Sequence, residues 1–490
     1  MTLVDQITNA ISGRHPIVYL HTPEERRVLN VLSKLLPKLA DSATLHSWTC
    51  TDGLDGVPGS ENPVAAIKHV IASGEPGFFV FKDLSQFMAD RVVMRALRDA
   101  YQALHARPKS VIVIVSPESA VPDLLEKEIF IIEVHGPSVD ELREAISEVQ
   151  ADYPGQTLPE GVIGDIVLAL KGLTLAEAEH VMHRVFNGGK ADSERGIFGE
   201  IFAEKEMLVK KSGFLEFMPP TYDISHIGGM ENLRDWILKR KAIFNQNSVD
   251  AGLPIPKGIL LMGVSGCGKS LTAKVVSSLW NLPLFRLDMN VIYSGAFGNA
   301  EATFHKALRT IESVAPAVLW IDEIENGLGS RDDGGFDQSH IFSAFLTWMQ
   351  EKPPLIFVAA TANRIEMLPA EILRKGRFDQ VFFCDLPDAA DREHIIRIHL
   401  KDNEANPDDY DIDYLVTATD GWNGAEIEQA IKSARIDSHQ ENRAFTVRDI
   451  GRHIRSMVPL SETMAEQIKA LRHWSYGRAT NASKTKKRGV

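Results

Sequence analysis

The chain has 490 residues, 44% of them hydrophobic and 24% charged: the composition of a folded protein, at a length beyond one ordinary core, so two or more domains are expected. Its formal charge of -13 argues against a dedicated nucleic-acid binder, which needs a basic face to meet a polyanion. The three cysteines, Cys50, Cys267 and Cys384, are far apart and form neither a disulfide framework nor a paired metal-ligand pattern, which points to a reducing compartment such as the cytoplasm.

Residues 1–13 carry Asp5 and no basic residue ahead of their apolar positions, unlike a secretory signal. Short apolar runs follow at 17–20, 78–81, 111–115 and 129–134, alternating with amphipathic stretches such as 24–39 and 91–105. None of the runs approaches the roughly 20 apolar residues that span a bilayer, so no transmembrane segment is expected. The rhythm predicts strands buried on both faces and joined by helices, hence an α/β domain with a mainly parallel sheet. A helical stretch closes this half, bringing the first domain to 1–189. Residues 190–220 are mixed and charged, with a helical segment at 199–211, and Pro219-Pro220 ends this linker because proline cannot continue a helix.

A second set of strands is predicted at 258–262, 284–288, 318–321, 355–360 and 381–384, separated by helices such as 271–279 and 300–314. This gives an α/β domain over 221–387, a helical lid over 388–478 and a basic, disordered tail over 479–490. The two helical stretches contain similar text, Gly172-Leu173-Thr174-Leu175-Ala176-Glu177-Ala178-Glu179 and Gly421-Trp422-Asn423-Gly424-Ala425-Glu426-Ile427-Glu428, which suggests an internal duplication.

Gly263-Val264-Ser265-Gly266-Cys267-Gly268-Lys269-Ser270 lies between a predicted strand and a predicted helix, the context a phosphate-binding loop requires. Glycines let backbone N–H groups curl around phosphates, and the helix presents unpaired donors and its positive dipole end to them. Lys269 is expected to reach the β and γ phosphates of ATP, and Ser270 to ligate Mg2+. Val318-Leu319-Trp320-Ile321-Asp322-Glu323 carries two carboxylates to the C-terminal edge of a buried strand, where Asp322 would hold the metal through water and Glu323 would polarise the attacking water. Thr361-Ala362-Asn363 places an amide at the tip of the strand expected next to it, able to orient that water or touch the γ-phosphate. Arg374 and Arg377, in Leu373-Arg374-Lys375-Gly376-Arg377-Phe378-Asp379, read alone as surface charges.

Taken together, residues 222–457 resemble the AAA ATPases, the ring-forming branch of the P-loop NTPases. Asn363, Arg374 and Arg377 stand at the family's spacing for its first sensor and its paired arginine fingers. Ile227-Gly228-Gly229 is similar to the motif whose backbone and isoleucine flank the adenine, and Gly424-Ala425-Glu426 to the lid motif closing on it; Leu271 follows the phosphate loop in the same surroundings. The resemblance implies an Mg2+-dependent ATPase in a homo-oligomer, a hexamer, with nucleotide at subunit interfaces and a protein partner to remodel. An ATP-dependent assembly switch that captures a partner without threading it is the alternative.

Three places depart from the family pattern. His226 replaces a usual Asp, Ala296 takes the aromatic position of the pore segment 293–298 with Phe297 one place later, and Thr347-Trp348-Met349-Gln350-Glu351 stands in place of Asp-Gly-Phe. The layout of a divergent first half before one intact module resembles AAA-domain proteins encoded in algal plastids and found in cyanobacteria, which for an algal chain would mean the plastid stroma. In the first half, Leu20-His21-Thr22-Pro23-Glu24-Glu25-Arg26 stands where a phosphate loop would, without its glycines or lysine, and Lys82 stands at the metal-ligand position. The first domain is therefore expected to be a degenerate, silent copy, or else an unrelated partner-binding domain. No His-Glu-x-x-His occurs, so a fused zinc protease is not expected. Cys267 reads as a small residue tolerated in the loop rather than a redox sensor, and Trp422 and Phe445 as packing residues of the lid.

Overall fold

A computed structural model describes residues 3–107, 109–118, 121–159, 161–210, 212–220, 222–294, 296, 298–328, 336–374 and 376–484. The chain divides into two compact units, Met1–Asp152 with Leu173–Met182, and Tyr153–Gly172 with His183–Val490.

The first unit is built on β1 (Ile17–His21), β2 (Thr44–Thr49), β3 (Gly53–Leu54), β4 (Gly77–Lys82), β5 (Ser110–Ser116) and β6 (Phe130–Glu133), in the order β3-β2-β4-β5-β1-β6. All pairings are parallel except β2 with β3. Side chains alternate between two cores: Ile17, Tyr19, Phe79, Phe81, Ile112 and Ile114 pack on one face. Val18, Leu20, Phe78, Val80, Val111 and Val113 pack on the other. This period of two under helices on both faces is why the strands read as continuous apolar runs. The half-exposed β2, Thr44-Leu45-His46-Ser47-Trp48-Thr49, has no such run and carries no apolar signal in the sequence.

The second unit contains β7 (Leu215–Met218), β8 (Gly258–Gly263), β9 (Leu284–Leu287), β10 (Ala317–Ile321), β11 (Ile356–Ala362), β12 (Gln380–Cys384) and β13 (Thr480–Asn481), in the order β13-β12-β8-β11-β10-β9-β7. The five central strands repeat the order of the first unit: β12-β8-β11-β10-β9 corresponds to β6-β1-β5-β4-β2. A shared crossover order adds a topological likeness to the similar text of the two helical stretches. Two cores again sandwich the sheet, one around Leu260, Met262, Leu319 and Val358, the other around Ile259, Leu261, Val318 and Phe357. A separate helical core holds the lid, with Trp422 and Phe445 inside it as packing residues.

Two boundaries differ from the sequence reading. The helix Ile163–Leu170 belongs to the second unit, where Leu168 packs on the core that contains Ile259 and Phe357. Its apolar face shows that it must be buried, but not against which sheet. Within the segment read as a disordered tail over 479–490, Thr480–Asn481 instead forms β13, paired in parallel with β12 (Phe382 with Thr480, Phe383 with Asn481), and residues 485–490 lie outside the described residues. Backbone pairing on an open sheet edge needs no apolar pattern, so composition did not reveal it. The linker helix is longer than 199–211, running over Glu194–Lys210. Its buried Lys205 donates to the carbonyls of Val314 (2.9 Å) and Pro316 (3.3 Å) just before β10, and burial lowers its pKa to about 7. Among the described residues, no helix is long and apolar enough to cross a membrane.

Candidate active site

The C-terminal edge of the second sheet is shaped by the turn out of β8. Gly263 has φ 134°, and a Cβ there would lie 2.1 Å from the carbonyl oxygen of Cys384, so only glycine fits where the loop leaves the sheet. Gly266 and Gly268 also take positive φ before the helix Lys269–Trp280 begins. The buried Lys269 Nζ donates to the carbonyls of Gly263 (3.0 Å) and Val264 (2.7 Å), and burial lowers its pKa from the ordinary lysine value. A cation resting on its own loop's carbonyls is placed to exchange them for phosphate oxygens.

Ser270 Oγ donates to Asp322 Oδ1 at 3.1 Å, which joins the start of this helix to the end of β10. The hydroxyl of Thr361, on the adjacent β11, donates to the same oxygen at 2.6 Å and accepts the Glu323 backbone N–H at 3.0 Å. Glu323 has φ 47°, a left-handed conformation uncommon outside glycine. Both its carboxylate oxygens are held: Asn363 Nδ2 donates to Oε1 at 3.0 Å and Asn326 Nδ2 to Oε2 at 2.6 Å. Buried Glu325 accepts the backbone N–H groups of Asn363 (2.9 Å) and Arg364 (3.1 Å), while its other oxygen, Oε2, has no partner among the described residues. Thr361, Asn326 and Glu325 escaped the sequence reading. Their proximity to Asp322 and Asn363 was the available signal, but the partners of Thr361 and Glu325 depend on which strands are neighbours.

The lid closes the opposite side. Asn423 caps the helix Gly424–Gln440 in a reciprocal arrangement with Glu426, and the Ala425 N–H donates to the Gly266 carbonyl at 3.1 Å, docking the lid on the phosphate loop. Between them lies a cavity of about 810 Å3, within the usual range of small-molecule sites. Its apolar end is walled by Tyr222, Ile227, Gly228, Ile395 and Ile398. Ser265, Gly266, Cys267, Gly268, Lys269, Ser270, Leu271, Gly424 and Ala425 line it too, as do Asp322, Glu323 and Asn363. Gly263 and Val264 shape the loop without lining the cavity.

Arg374 and Arg377 are not brought to this cavity. Arg374 is exposed beyond the turn Ala370–Leu373, and Arg377 donates to the Glu371 carbonyl, with its Nε buried and without a partner among the described residues. His226 ends a short turn in which its Nδ1 accepts the Asp223 N–H at 3.2 Å, a capping role. Burial pushes the Cys267 thiol up to about 12 and the Cys384 thiol up to about 11, which leaves both protonated and unreactive near neutrality. Ala296 is exposed, Trp348 Nε1 donates to Glu312 at 2.7 Å, and Phe297 lies outside the described residues.

At the corresponding place in the first unit, Arg27 fills the helix start. Its Nε meets Glu141 at 2.9 Å, while its Nη1 meets Glu24 at 2.7 Å and the carbonyl of His135 at 2.8 Å. Lys82, at the end of β4, pairs with Glu25 at 2.8 Å. The chain's own carboxylates therefore engage the cations beside this helix N-terminus.

The module that holds the cavity matches the model of the ATPase family associated with various cellular activities (AAA) over residues 259–386. Residues 3–134 match the SpoVK-like AAA ATPase N-terminal domain. The uncharacterised AAA domain-containing protein ycf46 of Guillardia theta is 35% identical over 97% of this chain and 95% of its own length. The chain belongs to the AAA ATPase family. The ycf46 protein of Pyropia yezoensis is likewise similar to this AAA protein, 34% identical over 99% of the chain and 100% of its own length. The Cell division cycle protein 48 homolog of Archaeoglobus fulgidus is 29% identical over 58% of this chain and 41% of its own. Among the described residues of this AAA chain, no group of three or more His, Cys, Asp or Glu side chains is placed to hold a metal. The single hydroxyl and carboxylate of Ser270 and Asp322 suit an Mg2+ that takes its remaining ligands from phosphates and water.

Proposed function

We propose that this AAA protein binds ATP in the cavity and hydrolyses it within a ring-shaped homo-oligomer, a hexamer, to remodel a protein partner. The observation that carries this reading is the seat of Glu323: a carboxylate facing the cavity, gripped by two amides, beside the Ser270–Asp322 pair and the phosphate-loop lysine. Lys269 leaves the carbonyls of Gly263 and Val264 for the β and γ phosphate oxygens. Ser270 and Asp322 would hold Mg2+, which supplies charge neutralisation across the phosphates. Glu323 takes the proton of the attacking water as its oxygen bonds to the γ-phosphorus and the bond to the β-phosphate oxygen breaks, releasing ADP and phosphate. Asn363 keeps that carboxylate aimed. Arg374 and Arg377, which lie away from their own cavity, act on the γ-phosphate of a neighbouring protomer. The first unit, its would-be phosphate seat filled by Arg27, Glu24 and Glu141, is a silent copy available for partner capture. The net charge of -13 favours a protein partner over nucleic acid, and the site of action is the cytoplasm or the plastid stroma.

The test is ATP turnover by the assembled chain and by Glu323→Gln. Removing the base is expected to lower turnover by about a hundredfold or more while nucleotide binding persists. Equal rates, or no turnover by the unaltered chain in any assembly state, would end the reading. One observation favours a second reading, an ATP-dependent scaffold: the exposed Ala296 stands at the aromatic position of the family's pore pattern. In that case Phe297→Ala leaves the fate of a captured partner unchanged, whereas a threading machine loses partner processing.

A further inference from the structure

The wall of the nucleotide cavity includes residues from the very end of the described chain. Ala482 and Ser483 line it, although they are remote in sequence from every motif of the site. Their path is tied at each step. Thr480 and Asn481 pair with β12, and the Ala482 N–H donates to the Phe383 carbonyl at 2.9 Å. The Ala482 carbonyl then accepts the N–H groups of Asn232 (3.0 Å) and Leu233 (3.2 Å), two donors that the first turn of the helix Glu231–Lys241 leaves without a helical partner. Asn232 Nδ2 donates to the carbonyls of Asn481 (3.0 Å) and Ser483 (3.2 Å), and the Lys484 N–H donates to Glu231 at 3.0 Å.

Ser483 is the functional end of this path. Its hydroxyl accepts the Met230 N–H at 3.2 Å and donates to Asp391 Oδ2 at 3.3 Å. Met230 follows the Ile227-Gly228-Gly229 turn at the apolar end of the cavity, and Asp391 lies in the first turn of the lid helix Ala389–Asp402. The turn and that helix are already in close approach: a Cβ on Gly228 would lie 2.5 Å from Ile395 Cγ1, and one on Gly229 2.1 Å from Asp391 Oδ1. One hydroxyl therefore bridges the two walls that face each other across the cavity's apolar end.

We propose that residues 480–484 are a strut of the nucleotide site, with Ser483 a positioning residue that holds the 227–230 turn against the lid. The inference rests on the nucleotide reading above. Nucleotide seated between turn and lid stabilises the arrangement that Ser483 bridges, and a docked strut preorganises the cleft for nucleotide. By linkage the two effects are equal and reciprocal.

The experiment is equilibrium binding of a fluorescent ADP analogue to the full chain and to Ser483→Ala, Ser483→Thr and Asn232→Ala, with amide hydrogen exchange with and without ADP. Losing hydrogen bonds of this kind is expected to weaken binding about fivefold in Ser483→Ala. Ser483→Thr, which keeps the hydroxyl, should restore it. Asn232→Ala, outside the cavity, should weaken binding in the same direction. In the unaltered chain, ADP should slow exchange at Met230, Asn232, Leu233 and Ala482. If the unaltered chain binds no nucleotide, the nucleotide reading falls and this inference with it. If it binds while Ser483→Ala and Asn232→Ala bind equally well and exchange at those amides is unmoved, the inference alone is overturned.

Discussion

Thr361 organises the acid-bearing corner of the cavity more than its size suggests. Its hydroxyl fixes the Asp322 carboxylate and satisfies the N–H of Glu323, whose φ of 47° turns that residue out of the strand path. A left-handed non-glycine residue stores of order 1–3 kcal/mol and persists only where its surroundings hold it. Thr361→Val keeps the shape and removes both bonds. Its expected result is a turnover lowered by about tenfold, with ATP affinity little changed because the phosphate loop and Lys269 are untouched. Steady-state rates set beside equilibrium binding check this; a loss confined to affinity would contradict it. Cys267 makes the opposite point at the same scale, since a conspicuous residue in the phosphate loop is held protonated by burial.

At the scale of elements, the two strand-to-helix turns at β1 and β8 show how one topology supports two chemistries. After β8, glycines open the backbone toward a cavity; after β1, Arg27 closes the space with Glu24 and Glu141. The Arg27 side chain is only 6% exposed, so removing it takes the cation from Glu24 and Glu141 and leaves them, among the described residues, only the backbone N–H groups of Leu175 and Ser138. Arg27→Met is expected to destabilise the first unit by about 3 kcal/mol, read as a lowered urea midpoint, while nucleotide binding by the second unit persists. The ion pair also fixes the acid side of the stability profile. Beyond the opposing effect of its burial, the hydrogen bond from Arg27 holds the Glu141 carboxyl below its usual range, so its contribution is complete above the ordinary carboxylate pKa. That contribution is lost as pH falls through the lowered value, and the acid-induced drop should be smaller in Arg27→Met than in the unaltered chain. Unchanged stability at neutral pH would show that the cluster holds nothing together.

For the whole molecule, the decisive fact is that Lys269, Asp322, Glu323 and Asn363 line the cavity while Arg374 and Arg377 do not. If the arginines act on a neighbouring protomer, defects in acid and arginine must complement each other. Glu323→Gln and Arg377→Ala are each expected to be nearly inactive alone. Mixed, they should recover measurable turnover, because some interfaces pair an intact Glu323 with an intact Arg377. Titrating one variant into the other checks this, and a flat response would place the arginines outside the reaction.

Glycine, lysine and carboxylate spacings around a strand end report local backbone conformation, so the phosphate loop, the acids, Asn363 and the strands buried on both faces were all legible in the linear text. Those features depend on neighbours within a few residues, where stereochemistry and side-chain period act directly. The grip of Asn363 on Glu323, the Thr361 bridge, the assignment of the helix Ile163–Leu170 and the return of residues 480–484 to the nucleotide cleft were decided by tertiary structure alone. Each is a contact between segments remote in sequence, made by ordinary polar groups, an apolar helix face or an open backbone edge, none of which names its partner until strand order brings them together.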